Sequence, residues 1–240
     1  MIVFNTTNEG LQKSNQFISS QTKLLYDALK HKILSPQSHI MAEIWYPKAL
    51  QVKQLSSDIL KYIDKLKTDL KKEAGLKLEN FTEVFQENNT NAVNSLFNEK
   101  KKGKELFEKL EKYRADILNV DIELSRRFSE NMIITTKEFD ALDSSKKEFS
   151  KYFFNKIPVA AAISILSRFE NNIIIIENML VSFCDNQSGL YSDIFYEPFK
   201  ALITQSSTKV KAGEEIEINL MFGSLVLTST TKSPLMVLSR

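Results

Sequence analysis

Apolar residues recur every three or four positions over much of the chain, which is the period of a helix with one buried face. Residues 8–33 place Leu11, Ile18, Leu25 and Leu29 on one stripe, with Leu24 and Ile33 beside it. Lys30, His31 and Lys32 fall in the last turn, where positive charge suits the helix dipole. Ser35-Pro36 then ends the helix, because a residue before proline avoids the α region. A second helix is predicted from Pro47, a favoured first helical residue, to Gly75, a favoured residue just past an end. Between them Val52, Leu55, Ile59, Ile63, Leu66 and Leu70 form an apolar row, backed by Lys and Asp. Such a helix is about 40 Å long, and two long helices on a short link pack antiparallel.

The pattern weakens over residues 76–98, and Glu87-Asn88-Asn89-Thr90-Asn91 reads as a loop. A third helix is predicted over residues 101–119, with Leu106, Leu110, Tyr113 and Ile117 inward. Thr135 to Glu138 and Ser145 to Glu148 have the spacing of capping boxes, so short helices are expected at each, and Phe149 and Phe153 share a face. A fourth long helix is predicted from Pro158 to Cys184. It is apolar on more than one side, with Val159, Ile163, Leu166 and Ile173 on one and Ile165, Phe169, Ile176 and Phe183 on another. That places it centrally or in an interface. The run Ile173-Ile174-Ile175-Ile176 suits a strand by itself, but its helical context decides against that.

After Asp185-Asn186-Gln187-Ser188-Gly189 the period drops to two. Phe199, Ala201 and Ile203 alternate with Lys200, Leu202 and Thr204. Ile216, Ile218 and Leu220 alternate with Glu215, Glu217 and Asn219, and Leu225 to Thr228 suggest one more strand. These resemble the opening strands of an immunoglobulin-like sandwich, which needs about 100 residues for completion. The expected fold is mainly α: a long-helix bundle over residues 1–188, then a partial Ig-like β segment over residues 189–240.

Composition changes this picture little. The chain has 240 residues, enough for that bundle and a small second unit, and its net charge of +2 calls for neither nucleic acid nor an anionic membrane. Cys184 is the sole cysteine, so no intrachain disulfide forms, and it reads as a small core residue. Residues 1–5 are unlike a signal peptide, and no run reaches the roughly 18 apolar residues of a membrane span; Ile157 to Leu166 comes nearest.

Candidate chemistry is thin. His31 and His39 are the only histidines, eight residues apart across a proline, without the further ligands of a zinc site. Glycine-rich phosphate loops and a nucleophile elbow are missing from the sequence. Glu170 and Glu177 share a helix face, but without Glu-x-x-His pairs they read as polar helix contacts. Trp45 beside Tyr46 reads as a packing anchor. Lys100-Lys101-Lys102-Gly103-Lys104 is either an anion-binding spot or, the plainer reading, a solvated helix start diluted by Glu99, Glu105 and Glu108. No catalytic, cofactor-binding or metal-binding residue is assigned, and the chain is read as a non-enzyme.

The order of parts carries more information. A long Asn-, Ser- and Leu-rich helix precedes Tyr46-Pro47-Lys48-Ala49, which leads through Ile59-Leu60-Lys61-Tyr62-Ile63-Asp64-Lys65-Leu66-Lys67. Then come Phe154-Asn155-Lys156-Ile157-Pro158-Val159-Ala160-Ala161, Phe199-Lys200-Ala201 and Lys209-Val210-Lys211-Ala212-Gly213-Glu214. Over residues 8–223 this succession resembles the GldM (PorM) family of gliding motility and type IX protein secretion, namely its N-terminal periplasmic domain and the start of its first Ig-like domain. The resemblance implies a dimeric periplasmic stalk that transmits motion from an inner-membrane motor partner (GldL-like) to outer-membrane and periplasmic secretion components. It implies no nucleic acid, small-molecule substrate or cofactor. In the family an N-terminal membrane helix, absent from this chain, provides the anchor, and residues 222–240 depart from the family's pattern. The competing expectation is a helical sensor or ligand-binding ectodomain without catalytic activity, which would need a pocket of a few hundred Å³.

Overall fold

The computed structural model describes residues 2–79, 82–130, 132–140, 142, 148–189, 200–205 and 218–223. The chain is mainly α, as its periodicity predicts. Three long helices dominate: α1 (Ile2–Ile33), α2 (His39–Glu73) and α8 (Val159–Gly189). Shorter elements between α2 and α8 are α3 (Thr90–Asn94), a π-helical turn (Ser95–Glu99), α4 (Lys102–Leu118), α5 (Ile122–Phe128), α6 (Lys137–Asp140) and α7 (Phe149–Phe154).

The buried residues of α2 are Ala42, Trp45, Ala49, Val52, Ser56, Ile59, Ile63, Leu66 and Leu70. Their spacing alternates strictly between three and four, the mark of a coiled-coil seam. In α8 the buried series Val159, Ala162, Leu166, Phe169, Ile173, Ile176 and Leu180 alternates in the same way. The two helices pack against each other and run antiparallel: Lys67 of α2 meets Glu170 early in α8, whereas Trp45 meets Phe183 late in it. Burying each large side chain of such a seam contributes roughly 1.5–3 kcal/mol before entropy is charged.

The seam also explains a correction at the start of α2. Pro47 is not the first helical residue but lies inside the helix, which begins at His39. Ala42, Trp45 and Ala49 continue the buried alternation through it, so packing outweighs the missing donor and the ring's clash with the preceding turn. Pro47 itself is on the exposed face. The other end follows expectation. Gly75, at φ 79°, reverses the chain, its N–H bonding the Lys72 carbonyl while that of Leu76 bonds Lys71, which closes the helix with a Schellman motif.

α1 packs along a second flank of α8, touches α2 through Lys53 over the Tyr26 ring, and runs parallel to α8. Asn171 donates to Asn15 Oδ1 at 2.7 Å, Asn178 to Thr22 Oγ1 at 3.0 Å, Tyr26 to Glu177 at 2.9 Å, and Lys32 pairs with Asp185 at 2.7 Å. From Asn15–Asn171 to Lys32–Asp185 the partners advance along both helices, with Thr22 and Tyr26 meeting adjacent α8 residues between, so these bonds fix register as well as direction. The helix end expected near Cys184 is corrected: α8 continues to Gly189, with Asp185 held by Lys32 and Ser188 Oγ donating back to the Asp185 carbonyl.

α4 buries Leu106, Leu110, Tyr113 and Ile117 as predicted and packs on α2, where Tyr113 meets Ser56 at 3.1 Å. α6 is capped by Thr136, whose Oγ1 accepts from Phe139 N–H, one residue later than the capping-box spacing implies. The box at Ser145 lies outside the described residues. Phe149 and Phe153 do share a buried face, and with Phe154, stacked on Phe97 at 3.8 Å, they wedge α7 between the π turn and Phe169 of α8.

Ile173 to Ile176 are helical, as their helical context indicates. A small antiparallel hairpin, β1 (Lys77–Glu79) with β2 (Thr82–Val84), was not anticipated where the pattern weakens. After α8, β3 (Lys200–Gln205) pairs antiparallel with β4 (Ile218–Gly223), from Lys200 opposite Gly223 to Gln205 opposite Ile218. The further strand expected at Leu225 to Thr228 lies outside the described residues.

Ile63→Ala should lower unfolding free energy by about 2–5 kcal/mol, whereas Ile40→Ala on the exposed face of α2 should change it by less than about 0.5 kcal/mol. Pro47→Ala should raise it by about 1–3 kcal/mol by restoring a helix hydrogen bond. Urea melts of the three variants check all three values.

Candidate functional site: interaction surfaces of the bundle

The residues singled out by their chemistry are mostly absorbed by packing. His39 Nδ1 lies 2.7 Å from the Ile33 carbonyl and its other nitrogen 3.6 Å from Glu43, while His31 is exposed on α1. Among the described residues no group of three or more His, Cys, Asp or Glu is placed to hold a metal. Glu170 and Glu177 diverge to different neighbours, the first to Lys67 of α2 and the second to Tyr26 of α1. Cys184 is fully buried, and burial pushes its thiol up to about 12, so it stays protonated and unreactive at neutral pH.

Trp45 is a packing anchor. Its ring meets Phe183 edge-on at 5.6 Å, and Lys48 lies 4.1 Å above its face. Lys48 also pairs with Asp121 at 2.5 Å. Burial opposes ionisation of Asp121, but Lys48 and the backbone N–H groups of Glu123 and Leu124 outweigh it and hold the carboxyl below its usual range. This hub ties α2, the start of α5 and the end of α8 together. At the other end of α2, Lys100 and Ser95 bond Glu73 and lower its pKa.

Glu177 is a half-buried carboxylate of the long-helix core, facing Tyr26 and Lys53. Desolvation raises its pKa, only partly opposed by the Tyr26 hydroxyl and the Lys53 charge, and burial together with Glu177 pushes the Tyr26 phenol up as well.

Two kinds of surface remain open. Phe17 and Leu24, seven residues apart, lie exposed on the face of α1 away from α8, while Leu34, Ile40 and Ile44 are exposed around the α1–α2 turn. A cleft of about 540 Å³ lies between the π turn, the start of α4 and α7, with Phe97, Phe107 and Phe149 inside and Lys101, Lys104 and Lys151 around it. A second, of about 390 Å³, lies between residues 133–137 and the Arg168–Met179 face of α8. Leu24, read from the sequence as flanking the apolar stripe of α1, is instead exposed, and the other exposed apolar residues have no signal, because a lone apolar residue off the main stripe reads as noise. The cleft does have one, in the lysine run before α4.

α8 also qualifies by length and composition as a membrane-crossing helix, contrary to the reading that no run is long enough. Its apolar excess is spent inside the protein: more than half of its most apolar stretch is buried between α1, α2 and the shorter helices.

A carboxyl whose pKa is higher in the folded than in the unfolded state contributes stability that is complete below its unfolded value, near about 4.3, and is lost as pH rises through the folded value. Glu177→Gln, which keeps an acceptor for Tyr26 without the charge, should therefore be more stable than the parent at pH 7–8. The advantage should shrink towards pH 4, as read by thermal melts across that range.

Comparison with curated proteins gives no match. Comparison with protein families gives one that spans most of the helical part: residues 2–184 match the GldM N-terminal domain. The match covers α1 to α7 and all but the last turn of α8, the elements joined by the seam and the α1–α8 ladder. The chain therefore belongs to the GldM family, a component of gliding motility and type IX protein secretion.

Proposed function

We propose that this bundle is an in-line segment of a periplasmic stalk that carries motion from an inner-membrane motor to outer-membrane secretion components. One observation supports this above the others. Because α1 and α8 run parallel, Ile2 and Gly189 lie at opposite ends of the long-helix layer, separated by a length of about 45 Å for a 31-residue helix. Chain enters at one end and leaves at the other, as a strut in series requires. An antiparallel pair would return both connections to the same end, and a load would bypass the bundle.

The bonds along α1 and α8 suit such a load. Asn171, Asn178, Glu177 and Asp185 each hold a different level of α1, so sliding by one turn breaks all of them together. Packed interfaces of this kind hold or switch as units rather than deforming gradually. The role is non-catalytic. In the family an N-terminal membrane helix supplies the anchor, and α1 would continue from it.

The stalk assembles, on this reading, as a homodimer that meets a GldL-like partner at the inner membrane. The exposed apolar residues Leu34, Ile40 and Ile44 support a contact surface near the end from which the chain proceeds to β3. Ile40→Asp with Ile44→Asp should leave the melting temperature within about 3 °C of the parent. The pair should abolish complementation of secretion in gliding cells lacking their own copy. Full complementation would remove this face from the assembly.

Spin labels at Glu9 and Asn186, both exposed, test the strut itself. A single narrow distance of about 30 Å is expected from their helical separation. A broad or two-peaked distribution would mean that the bundle bends and cannot carry load as one body.

A further inference from the structure

A stalk needs no ligand, yet the cleft beside α4 has the make-up of a ligand site. We propose that it binds an amphipathic carboxylate, with an aromatic ring or short acyl chain lying against Phe97, Phe107 and Phe149 and its acid group between Lys101 and Lys104.

The volume, about 540 Å³, lies within the range of small-ligand pockets. The lining separates into an apolar interior of phenylalanines and a cationic rim, the distribution that orients a molecule with one charged end. The charges at the rim are unequal. Glu148 also lines the cleft, but Lys151 pairs with it at 2.7 Å, so these two cancel. Lys104 holds Glu108 only loosely, at 3.7 Å and in solvent. Lys101 forms no ion pair with any described residue. The uncompensated charge is therefore positive and centred on Lys101 and Lys104.

The walls are fixed in place. Phe97 stacks on Phe154, and Phe149 packs on Phe169 of α8. Gly103 lies so close to Ser150 that a Cβ there would collide with the Ser150 hydroxyl and touch the Phe97 carbonyl at 3.0 Å. That contact joins α4 to α7 beside the cleft. Local backbone irregularity coincides with the same spot. Phe97 and Asn98 belong to the π-helical turn, and Lys101 adopts φ 56°, a left-handed conformation that glycine would take without strain. Lysine occupies that position against its backbone preference, and its ammonium is the one the cleft uses.

Two sources present this chemistry: a free small acid, and a chain terminus ending in an aromatic residue. The test is a titration of the full chain, followed by backbone amide shifts, with three probes: 3-phenylpropionate, its neutral amide 3-phenylpropanamide, and the tripeptide Gly-Gly-Phe with a free carboxylate. The acid should bind saturably at about a millimolar or tighter, with shifts confined to residues around 97–107 and 149–151. The amide should bind at least about tenfold more weakly. Lys101→Gly with Lys104→Gln should weaken the acid by about tenfold or more and leave the amide unchanged. The glycine relieves the left-handed strain, so a loss of fold would not explain that result, and an unchanged melting curve confirms it. Gly-Gly-Phe binding like the acid assigns the site to a chain terminus, and binding by 3-phenylpropionate alone assigns it to a free acid. No saturable binding, equal binding of acid and amide, or equal binding by the double variant overturns the proposal.

Discussion

The two seams on α2 and α8, each spaced alternately by three and four residues, are the constraint on which the rest of the bundle depends. An antiparallel pair locked by such seams has little freedom of register. It keeps α2 helical through Pro47, and it leaves α8 with a second flank still apolar enough to need a partner. α1 fills that flank. Its contact with α8 is more polar than the seam, and polar bonds at four levels decide direction where apolar packing would tolerate sliding. Trp45, Lys48, Asp121 and Phe183 then close one end of the layer, and the phenylalanines around Phe149 hold α7 against α4 and α8.

The long helices were legible because their periodicity spans many turns. The boundaries were less so, for reasons that particular residues show. Pro47 misled because proline at a helix start is a local preference, whereas the seam that overrides it is tertiary. The helix end expected near Cys184 came too early, because Asp185 gains a partner on α1 that no window of sequence displays. The hairpin of β1 and β2 is three residues a side, too short for a period to register. At the surface, Glu170 and Glu177 share a face by spacing and still diverge, because different helices claim them. The lysine run before α4 was visible, but the phenylalanines it faces come from three separate segments.

Parallel packing of α1 and α8 turns the fold into a connector. The chain makes an odd number of passes along the long-helix layer, so its two connections leave from opposite ends, which the in-line role proposed above would use directly. The same arrangement explains why so apolar a helix as α8 is compatible with a bundle: it has neighbours on several sides, and a single-sided helix of that composition would be an exposed liability.

The central claim is that α1, α2 and α8 unfold as one body. Native-state hydrogen exchange of amides in the middle of each helix, followed against low concentrations of denaturant, tests it most directly. The account predicts the same opening free energy and the same denaturant dependence for Thr22, Ile63 and Ile173. Exchange of α1 by a separate opening, several kcal/mol easier than that of α2 and α8, would show that the polar ladder does not bind it into the strut, and would contradict the account.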